Sequence, residues 1–251
     1  MKRNNEEEKL DWLREIIRNA PPAGASVLKW VRRTSRGITG PGRSLGVFPS
    51  SFNPPTVAHR TLIERARHVE SLDEILLILD RKPLDKSISG ASLEERLSMM
   101  LLFCEGDPSV SVAFTNRGLF VEKLALLQKA YPSGTIFRFI VGYDTLIRIL
   151  DAKYYKDRET ALGRLFSDSE FLVANRERAN IDEIQEHIDR EENRWFSERI
   201  KPFEIPLAVG RLSSTQARHA IRRGETVEGI VPPEIASYIR QKGLYKNLRQ
   251  K

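Results

Sequence analysis

Cysteine is almost absent from this chain. Cys104 is the one cysteine in 251 residues, so no disulfide can form within the chain. A reducing compartment, the cytoplasm, is therefore where it is expected to work. Cys104 falls within an amphipathic helical pattern and reads as a small buried hydrophobe rather than a reactive thiol. No run of eighteen or more apolar residues occurs, which excludes a membrane-spanning helix. The start, Met1 to Lys9, is strongly charged and lacks the apolar core of an export signal, so none is expected. Internal repeats and low-complexity tracts are missing too, which excludes repeat architectures.

What is present suits a globular protein: 40% hydrophobic and 30% charged residues. The length allows one large domain, or one domain with an extension. The formal charge is +7, from 41 basic and 34 acidic residues, which favours anionic partners. Nucleotides, nucleic acid and acidic lipid all qualify. The basic residues are spread along the chain rather than gathered in a block, which favours a solvated surface plus a phosphate site over nucleic-acid binding.

The stretch Gly46-Val-Phe-Pro-Ser-Ser-Phe-Asn-Pro-Pro-Thr-Val-Ala-His59 organises the rest. Leu45 to Phe48 reads as a buried strand and Pro49 to Pro55 as a tight turn. A helix follows, with Leu62, Ile63, Ala66 and Val69 at helical spacing. Before it, residues 4–19 read as a helix capped by Asn4 or Asn5, with Leu10, Leu13, Ile16 and Ile17 in a stripe. A short segment, Ser26 to Arg33, and a glycine-rich basic loop, Thr34 to Ser44, complete an N-terminal extension over residues 1–43. Its apolar stripe must pack on the main domain or on a partner subunit, the contact a homo-oligomer would use.

Over residues 44–251 strand and helix patterns alternate. Strands are expected at Glu74–Asp80, Val110–Phe114, Thr135–Gly142, Glu170–Ala174 and Glu204–Leu207. Helices are expected at Leu93–Glu105 with Ser92 as cap, Val121–Ala130, from about Ile181, Ser214–Arg223, and Pro232–Gln241 stopped by Gly243. This pattern predicts an α/β fold, a doubly wound and mostly parallel sheet with helices on both faces. Ligands in such sheets bind at the carboxyl ends of the strands. The 49–59 loop, the basic loop carrying Arg81, Lys82 and Lys86, Asp144, and the loop before Ser214 all fall there.

Two clusters carry chemistry. Thr56 and His59 lie three residues apart at a helix start, where free N–H groups and the positive end of the dipole attract an anion. Alone, His59 reads more readily as a structural or surface histidine. Arg211-Leu-Ser-Ser-Thr-Gln-Ala-Arg218 has a cap at Ser213 or Ser214, followed by Thr215 and Arg218 one turn on. Alone, it reads as an ordinary capped helix.

Together, the sequence resembles the nucleotidyltransferase superfamily with an H/T-x-G-H motif and a late I-S-S-T-x-x-R motif. It is most similar there to the nicotinate/nicotinamide mononucleotide adenylyltransferases. The residues that carry the resemblance are Gly46-Val-Phe48, Phe52 to His59, Lys86, Glu95-Arg96 with Met99, Phe139 to Asp144, Ser213 to Arg218, and Val231 to Tyr245. The resemblance implies a Rossmann-like fold and ATP-dependent adenylyl transfer to nicotinamide or nicotinate mononucleotide, forming NAD or deamido-NAD and pyrophosphate. Mg²⁺ would ride on the ATP phosphates.

By the same resemblance, Thr56, His59 and Arg218 would act on the phosphates. Ser213, Ser214 and Thr215 would join them in holding ATP, and the backbone of Gly46, Val47 and Phe48 would line the adenylate. Lys86, Arg96, Asp144 and Tyr154 would serve the acceptor. Ala58 stands where the family has glycine, and Arg117 to Val121 replaces a Ser-Tyr-Thr run. These changes keep two alternatives open. One is another phosphorylated acceptor, such as a pantetheine phosphate. The other is a non-catalytic relative that binds nucleotide or nucleic acid.

Overall fold

The computed structural model describes residues 2–81, 90–175 and 180–246. In chain order the elements are α1 (Lys2–Arg18), β1 (Leu28–Arg32), β2 (Ser44–Ser50), α2 (Val57–Val69), β3 (Glu74–Asp80) and α3 (Leu93–Phe103). Next come β4 (Val110–Thr115), α4 (Phe120–Ala130), β5 (Ile136–Gly142), α5 (Tyr143–Leu150), α6 (Arg158–Ser167), β6 (Ser169–Ala174) and α7 (Ile181–Ile188). The chain closes with β7 (Ile200–Phe203), α8 (Leu207–Gly210), α9 (Ser214–Arg222) and α10 (Pro233–Lys242). No described helix is long and apolar enough to cross a membrane.

The seven strands form one sheet in the order β1-β4-β3-β2-β5-β6-β7. All pairs are parallel except β1 with β4. β3 is buried along all seven residues, as a central parallel strand covered on both faces must be. One face packs Ile63 and Ala66 of α2, Leu97 and Met100 of α3, Ala217 of α9 and Ile235 of α10. The other packs Leu124 of α4, Leu146 of α5, Leu162 of α6 and Ile184 of α7. Local signals fix the helix ends. Ser92 and Glu95 form a reciprocal capping box on α3. Gly243 ends α10 in the left-handed conformation, φ 62°.

Four features differ from the sequence pattern. The last strand lies at Ile200–Phe203, ahead of the expected Glu204–Leu207, and Leu207 instead begins α8. Pro202 obscures it, because proline is tolerated in a strand only at a sheet edge, and β7 is an edge. α5 and α6 fill a region where no helix is expected. Residues 28–32 form an antiparallel edge strand, so the N-terminal segment extends the sheet. Asn4 and Asn5 lie inside α1 rather than capping it.

The first residues are bound across the carboxyl ends of β3 and β4. Arg81 donates from Nε to the Ala20 carbonyl at 2.8 Å, and from a second nitrogen to the Ile17 carbonyl. The Ile17 carbonyl also accepts from Ala20 N–H at 3.2 Å, and a cation is favoured at this end of α1. Asn116 donates to Pro21 and Ala25 carbonyls at 2.7 and 3.0 Å and accepts from Val27 N–H at 3.0 Å. Leu13 of α1 is fully buried in the same core as α2 and α3. At the opposite end of β3, the buried Glu74 carboxylate accepts from Ile38 N–H, Ser111 Oγ and Tyr131 Oη at 2.8, 2.5 and 2.9 Å.

A buried ion pair closes the top of β3. Lys123 Nζ sits 3.0 Å from Asp80 Oδ2 and donates to the Gly118 carbonyl at 2.5 Å. Burial pushes the Asp80 carboxyl up to about 6 from 3.8, against the pull of Lys123. A carboxyl that holds its proton more tightly folded than unfolded lowers stability above about pH 6, and that cost fades as the pH falls toward 3.8. Removing one partner strands the other as a buried charge. Lys123→Met is therefore expected to lose about 3–5 kcal/mol at pH 7 in urea unfolding. Part of this should return near pH 5, as Asp80 takes up a proton. An equal loss at both pH values would contradict the pairing.

Candidate active site

After β2 the chain builds β3 and β4 on one side, then crosses to β5 on the other. The helices part at this switch point, leaving a crevice over the carboxyl ends of β2 and β5. The loop from Pro49 to Thr56 leaves β2 there, and Asp144 enters α5 there.

Thr56 is the N-cap of α2, and His59 is its third helical residue. His59 Nδ1 accepts from the Thr56 backbone N–H at 3.0 Å, and Thr56 Oγ1 lies 2.7 Å from the same nitrogen. A nitrogen that accepts an amide proton carries none, so the imidazole proton of the neutral ring is on Nε2. Nε2 lies 3.1 Å from Ser50 Oγ at the end of β2. The ring packs on Phe48 and Phe52, with centroids 5.7 and 5.2 Å away. Two aromatic walls and a cap thus orient one N–H donor. One α2 amide is already spent, since Val57 N–H donates to the Ile230 carbonyl at 2.9 Å. The anion site is narrower there than the bare helix start suggests.

The two sequence clusters meet. Ser214 Oγ donates to the Pro54 carbonyl at 2.7 Å, and Arg218 Nη1 to the Asn53 carbonyl at 2.7 Å. Arg218 Nη2 donates to Thr215 Oγ1 at 3.1 Å. Ser213 caps α9, accepting from Gln216 N–H at 3.1 Å, while Thr215 is exposed. Arg218 Nε is buried with no partner among the described residues.

Arg96 lies in this group, although the resemblance assigns it to the acceptor. It is 1% exposed, on α3, and its Nε donates to the Ala91 carbonyl at 2.9 Å. Burial brings its guanidinium down to about 10; Tyr245 opposes the shift and the nearby Arg218 charge adds to it. Arg96 Nη1 is buried with no partner among the described residues.

The remaining candidates spread out. Gly46 and Val47 lie within β2, their backbones in the ladder with β3 and β5. A Cβ at Gly46 would come within 2.7 Å of Ile75 and 2.9 Å of Leu72, so the end methyls of those side chains would have to move aside for any other residue. The Phe48 side chain turns into the core beside His59. Asp144 is exposed in the first turn of α5, whose N-cap is Gly142. Tyr154 lies beyond the far end of that eight-residue helix, about 12 Å along its axis. Its hydroxyl is buried with no partner among the described residues, and Lys153 Nζ sits 4.8 Å over its ring. Lys86, with Lys82, lies outside the described residues.

Ser50, Asn53 and Tyr245 belong to the site but escaped the sequence reading as functional residues. Asn53 and Tyr245 lie within the stretches that carry the resemblance, and Ser50 has no distinguishing signal. No three His, Cys, Asp or Glu residues gather to hold a metal among the described residues.

Known proteins share this fold and sequence. The cytidylyltransferase-like family model matches residues 47–219. "Putative nicotinamide mononucleotide adenylyltransferase" of Schizosaccharomyces pombe is 35% identical over 212 residues, 77% of this chain and 83% of that protein. "Probable nicotinate-nucleotide adenylyltransferase" of Trichlorobacter lovleyi is 28% identical over 218 residues, 80% of this chain and 99% of that protein. The Plasmodium falciparum nicotinic acid mononucleotide adenylyltransferase complexed with NaAD shares the fold, with TM-score 0.60 and 18% identity. That match covers 81% of this chain and 97% of the other.

The His59 contacts make a direct prediction. Nitrogen-15 NMR on the neutral ring should show the Nε2–H tautomer, and Ser50→Ala should leave it in place, because Thr56 N–H sets it. A ring protonated on Nδ1 would overturn the assignment.

Proposed function

The chain belongs to the cytidylyltransferase-like family, in its nicotinate/nicotinamide mononucleotide adenylyltransferase group, and from that premise we propose that it transfers the adenylyl group of ATP to a pyridine mononucleotide. One observation carries this reading. The 52–59 loop and the 213–218 helix start, far apart in sequence, are hydrogen-bonded to each other at the sheet's switch point.

In the reaction, a 5′-phosphate oxygen of the acceptor attacks the α-phosphorus of ATP. The bond from that phosphorus to the bridging oxygen breaks, and pyrophosphate leaves. Little covalent chemistry falls to the protein, so positioning and charge neutralisation supply the rate. His59 Nε2–H donates to the reacting phosphate, with the Thr56 hydroxyl beside it. Arg218, Ser214 and Thr215 hold the β- and γ-phosphates, where charge grows as pyrophosphate departs. Ser213 contributes by capping α9, which fixes the direction of those groups.

Arg96 adds a second guanidinium to the triphosphate side, supported by its proximity to Arg218. Phe48 and the chain after it, more than Gly46 and Val47, border the adenylate. Asp144, at the end of β5, faces the acceptor, with Tyr154 further out, and Lys86 joins them by the resemblance alone. Mg²⁺, carried by the triphosphate, neutralises phosphate charge. The extension of residues 1–43 with a catalytic unit over 44–251, and work in the cytoplasm, complete the reading.

Pyrophosphate release from ATP and Mg²⁺ is the test, with nicotinamide mononucleotide, nicotinate mononucleotide and pantetheine phosphate as acceptors. Release with either pyridine mononucleotide is expected. Release with pantetheine phosphate alone would replace the acceptor, and none with any would overturn the transfer. His59→Ala should lower turnover by about 10²–10³-fold with the fold intact and the melting temperature lowered only by the lost cap and ring contacts.

A further inference from the structure

Tyr245 lies outside the stretch matched by the family model, which ends at residue 219. It is 5% exposed, and its backbone has φ 68°, in the left-handed region that a non-glycine residue rarely occupies. Such a conformation persists where its surroundings hold it. Its hydroxyl donates to Asn53 Oδ1 at 3.0 Å. Ala91 N–H donates to the same oxygen at 3.3 Å. The Asn53 main-chain carbonyl, in turn, accepts from Arg218. Space around this node is tight, since a Cβ at Gly90 would meet Asn53 Oδ1 at 2.8 Å and the Tyr245 ring at 3.1 Å.

Tyr245 also neighbours both arginines of the phosphate side. Burial raises its phenol, with Arg96 and Arg218 opposing, so it stays a neutral donor. Arg96 and Arg218 each retain a buried N–H without a partner among the described residues, and no carboxylate is bonded to either. Two cations held together in this way are poised for an anion with several oxygens. The aim of Arg218 depends on what fixes Asn53.

We propose that Tyr245 is a positioning residue of the triphosphate site: by holding Asn53, it sets the carbonyl on which Arg218 is aligned. The inference rests on the adenylyl-transfer reading and adds to it a residue that touches no substrate. Loss of the hydroxyl lets Asn53 turn, and Arg218 with it, so the interactions lost are those with the β- and γ-phosphates. The acceptor side, across the crevice at β5, is unaffected.

Tyr245→Phe keeps the ring and removes this one hydrogen bond, and Asn53→Ala removes it from the other side. Both are expected to weaken Mg·ATP about tenfold, in KM and in Kd by calorimetry. The acceptor KM and the melting temperature should stay at wild-type values for Tyr245→Phe. The double variant should lose little more than the worse single one, as coupled residues do. Wild-type ATP affinity in Tyr245→Phe would overturn the inference. So would a joint rise in both KM values with a fall in melting temperature, the mark of a merely structural tyrosine. Calorimetry with Mg·ATP needs no acceptor, so a wild-type protein that releases no pyrophosphate would sink the transfer reading and leave this test intact.

Discussion

The loop after β2 cannot satisfy itself. Pro54 and Pro55 supply no N–H, so the turn between β2 and α2 has few donors for its own carbonyls. Ser214 and Arg218 provide two of the missing donors, 160 and 165 residues away in sequence. The loop therefore takes its form only where α9 has docked. α9 docks because Ala217 and Ala220 enter the same core as α2, α3 and α10. A backbone need in one place and an apolar stripe in another bring the two phosphate-facing segments together. The site follows from that closure.

Within the closed site, the chemistry is electrostatic. His59 is one donor whose proton is assigned by the cap of its own helix and whose ring is held by two phenylalanines. The arginines sit where water is largely excluded, which raises the strength of any bond to phosphate. A cation that is buried and incompletely partnered is costly in the empty protein. Arg96 Nη1 and Arg218 Nε are such groups, and a bound polyphosphate would relieve them.

The opposite half of the crevice is built differently. Arg81 and Asn116, at the ends of β3 and β4, are bonded to the N-terminal segment. Arg117 follows them, donating to Ser26 Oγ at 2.7 Å. The strand ends where the family's Ser-Tyr-Thr run would fall are thus occupied by contacts within this chain. The extension is a structural part of the sheet's upper edge, through β1 and through these bonds.

Much of this was legible in the order of residues. The central strand at Glu74–Asp80, the Ser92 and Ser213 caps and the Gly243 stop depend on periodicity and on contacts within four residues, and they appear where the pattern places them. Phe52 to His59 and Ser213 to Arg218 identified the family, because motifs survive as strings. Pairing was beyond the string. Nothing local says that Arg96 lies by Arg218, that Tyr245 reaches Asn53, or that a Cβ at Gly46 would press on Ile75 and Leu72. Nor does local pattern reveal a strand with proline at its third pair, since only its place at the sheet edge makes Pro202 acceptable. The sequence by itself determined most of the elements, several of their caps and the reaction class, set by near neighbours and by short motifs. The tertiary structure alone decided which distant side chains meet Arg218 and Asn53, because a hydrogen bond depends on distance in space and not on separation along the chain.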